Sequence, residues 1–193
     1  MRTFAMPRRG LIGAWMLGSA LAWGASSWAA APNTAGTPPV AGTASAPAAA
    51  SVVGTTPQLQ GMTLEGKPFN LAEQRGKVTL VLFWSTDCAV CRDKMPELRA
   101  NAQGWKGQPF ELVTVSLDRK LQDTADYERL VAKVVSKDQR LLALWAGDAS
   151  YQSTLARPSH LPAAYLLDKS GRVVEQYSGR IPPEAWDRIS DLL

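Results

Sequence analysis

An almost unbroken apolar run, residues 78–84, stands near the middle of the chain. It lacks the alternation of apolar and polar residues found in a strand with one solvent-exposed face. It is therefore typical of a strand that is buried on both sides. Met95, Leu98 and Trp105 follow at the spacing of one helix face, and this helix should end by Gly104 or Gly107. The pattern therefore predicts a central strand leading directly into a helix.

Strand and helix patterns alternate after this pair. Residues 111–117 form a second apolar stretch, which predicts a βαβ unit with the first strand. Residues 124–136 have helical periodicity, with Asp123 or Thr124 as the predicted cap. The predicted apolar stripe of this helix consists of Tyr127, Leu130, Val131, Val134 and Val135.

Shorter segments complete the prediction. A hairpin is expected at residues 59–64 and 67–71, and a second one at residues 163–167 and 173–177, where a Gly-containing turn joins two apolar runs. The remaining expected elements are a strand at residues 141–145, a short helix at residues 150–155, and a terminal helix that starts at residues 182–184 and buries Trp186, Ile189, Leu192 and Leu193.

The N-terminal third has a different composition. Residues 1–29 combine basic residues up to Arg9, an uncharged stretch and small residues before Ala30, which predicts a secretory signal peptide. An uncleaved membrane anchor is the alternative, because the stretch is about long enough to span a bilayer. Residues 30–57 are rich in Ala, Pro, Gly and Thr and uncharged, so they predict a flexible linker before a domain at residues 58–193.

The basic balance of the chain comes mainly from its N-terminus. Removing Arg2, Arg8 and Arg9 from the 21 basic side chains leaves 18, against 17 acidic ones. The rest of the chain is therefore nearly neutral. This balance gives no support to nucleic-acid binding.

The candidate chemistry lies directly after the central strand, at Cys88 and Cys91. A C-x-x-C pair on the first turn of a helix is close enough to form or break a disulfide. Cys88 would lie at the helix N-terminus, where free N–H groups and the helix dipole favour a thiolate, and so would be the nucleophile. Cys91, one turn deeper, would be the resolving thiol.

A C-x-x-C pair can also serve other roles. A structural disulfide closing so small a loop contributes little stability. A zinc site would need two further ligands, and the chain offers only His160 and carboxylates. A copper site made of Cys88, Cys91 and His160 is the alternative function, and a redox-inert interaction domain is another.

Residues 78–96, with the apolar strand, the C-x-x-C pair and the proline at position 96, resemble the active-site strand and helix of thioredoxin-like proteins. Downstream, residues 161–168 are similar to the cis-proline loop and following strand of that family. The likeness extends over roughly residues 58–193. It is greatest to the periplasmic TlpA/ResA-type thiol-disulfide oxidoreductases. A peroxidase within the wider fold family is disfavoured, because the residues before Cys88 lack the proline and threonine spacing of peroxiredoxins.

The resemblance implies an α/β thioredoxin-like fold, with a central mixed sheet flanked by helices and an N-terminal β-hairpin extension. It implies a periplasmic monomer, with or without a membrane anchor, that exchanges disulfides with exported proteins such as apocytochrome c and is re-reduced by a membrane electron donor. No organic cofactor or metal is expected. Leu161 and Pro162 would bind the extended substrate chain beside Cys88.

The sequence departs from the family pattern at three positions. Asp87 precedes the first cysteine, where an apolar residue is usual. Leu82 occupies the place of a buried proton-relaying Asp in cytoplasmic thioredoxins, and Lys94 the place of a Glu that is frequent in ResA-like proteins. Lys94 is expected to be an exposed helix charge. A base for Cys91 is then sought at Asp93 or Glu97.

Overall fold

A computed structural model describes residues 51–193. The predicted signal peptide and most of the predicted linker lie outside the described residues. The linker residues that are described lie against the domain: Gly54 donates its backbone N–H to Val173, whose own N–H is bonded to Thr55. The packed chain thus begins several residues before the predicted boundary at position 58.

The main sheet has five strands, which lie side by side in the order β5 (Leu142–Trp145), β4 (Phe110–Ser116), β3 (Val78–Trp84), β7 (Ala163–Leu167) and β8 (Val173–Ser178). β3 is central, parallel to β4 and antiparallel to β7. β4 pairs in parallel with β5, and β7 pairs in antiparallel with β8. The mixed sheet with flanking helices is the predicted thioredoxin-like fold.

Alternate residues of β3 point into two separate hydrophobic cores. Leu80, Leu82 and Trp84 pack with α1 (Ala89–Gly104) and α3 (Glu184–Leu192) on one face of the sheet. Val81 and Phe83 belong to the core on the other face. Because both faces are covered, every residue of this strand is buried, which explains its apolar run.

A small second sheet covers the other face. β1 (Leu59–Met62) pairs in antiparallel with β2 (Pro68–Asn70) on one side and with β6 (Gln152–Ser153) on the other. β6 lies in the segment predicted to be a short helix, and that prediction is wrong. The backbone of Thr154 bonds that of Gln58 across a large sequence separation, which a local pattern does not record.

The second predicted helix is displaced. α2 spans Leu121–Val131, and its N-cap is Lys120 without a side-chain cap bond, so the prediction of Asp123 or Thr124 as the cap is wrong. Tyr127 packs against the core, with its ring centroid 4.9 Å from that of Trp84. Leu130, within α2, and Val134, beyond its end, are both exposed, although the apolar spacing includes them.

Turn chemistry accounts for the β7–β8 hairpin. The side chain of Asp168 accepts hydrogen bonds from the backbone N–H groups of Ser170 and Arg172, at 2.8 and 3.0 Å. Gly171 has a φ of 80°, which a residue with a Cβ adopts at a cost. The hairpin returns the chain to α3, which buries Ala185 and Ile189 against the core.

Candidate redox site

The two cysteines lie where β3 ends and α1 begins. Cys88 is the N-cap residue of α1, and Cys91 lies on its first turn. The two are joined by a disulfide, with their Cα atoms 5.2 Å apart. The backbone N–H of Cys91 donates to Sγ of Cys88 at 3.1 Å. The sulfur thereby takes the position of a capping oxygen, at the positive end of the helix dipole.

The two sulfurs differ in their access to solvent. Cys88 is half-buried, whereas Cys91 is 1% exposed and packs in the core with Met95 and Leu98. A partner molecule therefore reaches Cys88 first. This asymmetry is the one that a nucleophilic and a resolving cysteine require.

Two carboxylates lie close to the pair in the chain, at Asp87 and Asp93. Asp87 is exposed and accepts a hydrogen bond from the hydroxyl of Ser85. Asp93 is also exposed and pairs with Arg180 at 3.3 Å. The partners of these two carboxylates are thus Ser85 and Arg180.

Lys94 was predicted to be exposed and is instead buried, with 8% of its surface accessible. Its ammonium donates to Glu97, which also accepts from the indole N–H of Trp186 at 3.1 Å. The hydrogen bond from Lys94 is the main cause that lowers the pKa of Glu97 below its usual value. A carboxylate held in its ionised form by two donors is a weak proton acceptor, which argues against Glu97 as the base for Cys91.

Leu161 and Pro162 form the loop before β7. Their peptide bond is cis, Pro162 is buried, and its carbonyl accepts the N–H of Gly179 at 2.7 Å. Leu161 is partly exposed and touches both hydrophobic cores.

A cleft of about 360 Å³ brings this loop together with the chain before Cys88. Its lining includes Thr86, Asp87 and Leu161. A larger cavity of about 440 Å³ is lined by residues of the β1–β2 turn and the segment before β5, and no cysteine contributes to its wall. Neither cysteine lines the smaller cleft, but Thr86 and Asp87 in its wall directly precede Cys88 in the chain.

His160 is exposed, and its Nδ1 lies 2.9 Å from the hydroxyl of Ser159. Across residues 51–193, no group of three or more His, Cys, Asp or Glu side chains is arranged to hold a metal ion. The copper site suggested for Cys88, Cys91 and His160 is therefore not assembled in this structure.

Asp118, which no sequence motif predicted, is a buried residue in the wall of the cleft. Its carboxylate accepts hydrogen bonds from the backbone N–H and the hydroxyl of Thr86, at 2.8 and 2.9 Å. It also accepts from the hydroxyls of Ser116 and Thr124, at 2.8 and 2.7 Å. The available signal was the Ser-x-Asp sequence at the end of β4, since parallel strands bring their carboxyl ends to the same edge of a sheet.

Comparison with known proteins agrees with this geometry. The chain is 27% identical over 122 residues to the thiol-disulfide oxidoreductase ResA of Bacillus thuringiensis, a match that covers 60% of this chain and 63% of that protein. It is 29% identical over 141 residues to ResA of Geobacillus thermodenitrificans, covering 70% and 74% of the two chains. The chain thus spans less than two thirds of the first of these relatives.

A solved structure has the same fold. The crystal structure of a thiol:disulfide interchange protein of the thioredoxin family from Chlorobium tepidum superposes with a TM-score of 0.57 and 22% identity, covering 70% of this chain and 92% of that one. The family model described as the AhpC/TSA family matches residues 52–187, most of the chain. The protein therefore belongs to the AhpC/TSA family and has a thioredoxin-like fold.

Proposed function

We propose that this protein is a thiol-disulfide oxidoreductase that reduces disulfides of exported proteins through Cys88 and Cys91. The observation that carries the proposal is the asymmetry of the pair. Cys88 is partly exposed at the N-cap of α1, and Cys91 is buried one turn deeper. The names of the ResA relatives support the same activity.

The exchange takes place in two steps. The thiolate of Cys88 attacks one sulfur of the partner disulfide, whose S–S bond breaks and releases a partner thiolate that takes up a proton. Cys91 then loses its proton and attacks Sγ of Cys88, which breaks the mixed disulfide. The partner leaves as a dithiol, and its two added electrons have come from the pair, which is now oxidised.

The site supplies three contributions to these steps. The N–H of Cys91 and the helix dipole stabilise negative charge on Cys88. The short spacing in the chain keeps the resolving thiol within reach of a mixed disulfide. Leu161 and Pro162 bind the substrate chain beside Cys88, in the cleft that Leu161 helps to line.

The finer features of the proposal follow from the sequence and from its resemblance to TlpA/ResA-type proteins. Residues 1–29 export the chain to the periplasm, where it acts as a monomer on partners such as apocytochrome c. A membrane electron donor returns the pair to its reduced form. Of the helices in the described part of the chain, none is both long enough and apolar enough to span a bilayer.

The test is turnover of a disulfide substrate. The full-length protein, with dithiothreitol as electron source, should reduce insulin disulfides faster than dithiothreitol alone. Cys88→Ser should abolish this acceleration. If the wild-type chain gives no acceleration with insulin or with an oxidised C-x-x-C peptide, the proposed activity is wrong.

A further inference from the structure

Asp118 is a buried carboxylate that takes no part in the exchange steps. It follows the carboxyl end of β4, and 9% of its surface is accessible. Its four hydrogen bonds fill the acceptor capacity of a carboxylate. Burying a carboxylate is costly unless it is hydrogen-bonded, and here each acceptor site has a donor. The arrangement indicates that the fold uses Asp118 as a hydrogen-bond acceptor.

The two carboxylate oxygens have separate partners. Oδ1 accepts both bonds from Thr86, in the segment between β3 and α1. Oδ2 accepts from Ser116 at the end of β4 and from Thr124 in α2. Asp118 is further fixed through its backbone carbonyl, which accepts the indole N–H of Trp145 at 2.8 Å. One oxygen thus holds the segment before Cys88, and the other is attached to the scaffold.

Thr86 lies two residues before Cys88, whose own N–H is bonded to Ser85. In the oxidised protein, the covalent bond to Cys91 fixes the position of Cys88. Reduction removes that bond, but the hydrogen bonds of Asp118 do not involve either sulfur. In the reduced form these bonds remain, together with the helix bond from the N–H of Arg92 to the carbonyl of Cys88, and they restrain the segment that carries Cys88.

We infer that Asp118 is a positioning residue, which through Thr86 holds Cys88 close to Cys91 in the reduced protein. This inference rests on the proposed function of the cysteine pair. Its consequence is a high effective concentration of the two thiols towards each other, which favours closure of the disulfide over a mixed disulfide.

Two substitutions separate the hydrogen bonds of Asp118 from its charge. Asp118→Asn keeps a carbonyl oxygen for Thr86, and its amide can donate to the hydroxyls of Ser116 and Thr124, which can also accept. Asp118→Ala removes every one of these bonds. Both variants lose the same negative charge, so any difference between them reports the hydrogen bonds.

The experiment measures the equilibrium constant of the Cys88–Cys91 disulfide against glutathione, in the full-length protein. Asp118→Ala should form the disulfide about tenfold less readily than Asp118→Asn, a shift of about 30 mV towards easier reduction. The control Asp126→Asn, at a partly exposed position of α2 where the carboxylate pairs with Arg129, should match the wild type. Thermal unfolding of each variant checks that the comparison is made on folded protein.

If Asp118→Ala does not fold, Thr86→Val replaces it. This variant keeps the bond from the backbone N–H and loses only the hydroxyl donor. Its equilibrium constant for disulfide formation should therefore fall about threefold, as for the loss of one modest hydrogen bond. Equal equilibrium constants for Asp118→Ala and Asp118→Asn would overturn the positioning role. An unchanged equilibrium constant for Thr86→Val would do the same. A wild-type disulfide that does not equilibrate with glutathione overturns the proposed function as well.

Discussion

The backbone N–H of Cys91 donates a hydrogen bond to Sγ of Cys88, 3.1 Å away. The buried member of the pair thus supplies the donor that caps its more exposed partner. The same bond would stabilise charge on Cys88 after reduction, because N–H donors at a helix start favour a thiolate. The two cysteines are therefore chemically unequal.

Cys91→Ser should trap a mixed disulfide. Cys88 remains accessible and able to attack, but no buried thiol is left to release the partner. Incubation with an oxidised C-x-x-C peptide should give a stable adduct, seen as a mass increase without reductant and lost with it. Cys88→Ser is the matched control and should give little adduct. Equal trapping by both variants would contradict the assigned roles.

Glu97→Gln should destabilise the fold by about 1–2 kcal/mol near neutral pH, because buried Lys94 loses its charged partner while water partly screens Glu97. Urea unfolding measures this difference. Asp93→Asn, which removes an exposed ion pair with Arg180, is the control and should cost about 0.5 kcal/mol or less.

The cost of Glu97→Gln should depend on pH. Lys94 lowers the pKa of Glu97 in the folded protein below the usual value of 4.5. The stabilisation is therefore fully present above that value and is lost as the pH falls through the lower, folded pKa. Wild type and variant should become similar in stability in acid. A constant difference down to low pH would show that Glu97 acts without its charge.

Leu161→Ala should weaken substrate binding without altering the cysteine pair. Leu161 lines the cleft and is partly exposed. We expect KM for a protein disulfide to rise about threefold to tenfold, as for the loss of a partly buried apolar contact. The rate of alkylation of Cys88 by iodoacetamide should not change. If the alkylation rate falls as much as the exchange rate, Leu161 acts on the pair itself.

His160→Ala should leave disulfide exchange unchanged, because the imidazole is exposed and its Nδ1 lies against the hydroxyl of Ser159. Insulin reduction and Cu(I) competition with a chelator should be measured on the same protein. Tight copper binding that disappears in the variant would instead support the metallochaperone hypothesis.

The core of the fold could be predicted because its signals are local. Residues 78–84 are apolar throughout since both faces of the strand are covered. The end of α2 was misplaced because Leu130 and Val134 continue the apolar spacing although they are exposed. β6 was missed since its identity depends on pairing with β1, about ninety residues earlier.

The candidate site likewise combines residues that a local motif predicts with residues that depend on contacts distant in the chain. A C-x-x-C pair at a strand-to-helix junction is a contiguous motif, so Cys88 and Cys91 could be found from the sequence alone. Asp118 could not, because its importance lies in bonds to Thr86, Ser116 and Thr124, which come together only in the folded chain. The burial of Lys94 was missed because its partner Glu97, on α1, is also bonded by Trp186 on α3. This contact between two helices is not visible in a local pattern.

The most direct test of the central claim is a redox titration of the Cys88–Cys91 pair in dithiothreitol or glutathione buffers, followed by thiol alkylation. The proposed reductase predicts a reversible two-electron transition near the potential of thioredoxin, about −270 mV, or below it. A potential near about −120 mV would mark the pair as a disulfide donor and contradict the proposed direction of exchange. A pair that never cycles would contradict the oxidoreductase function altogether.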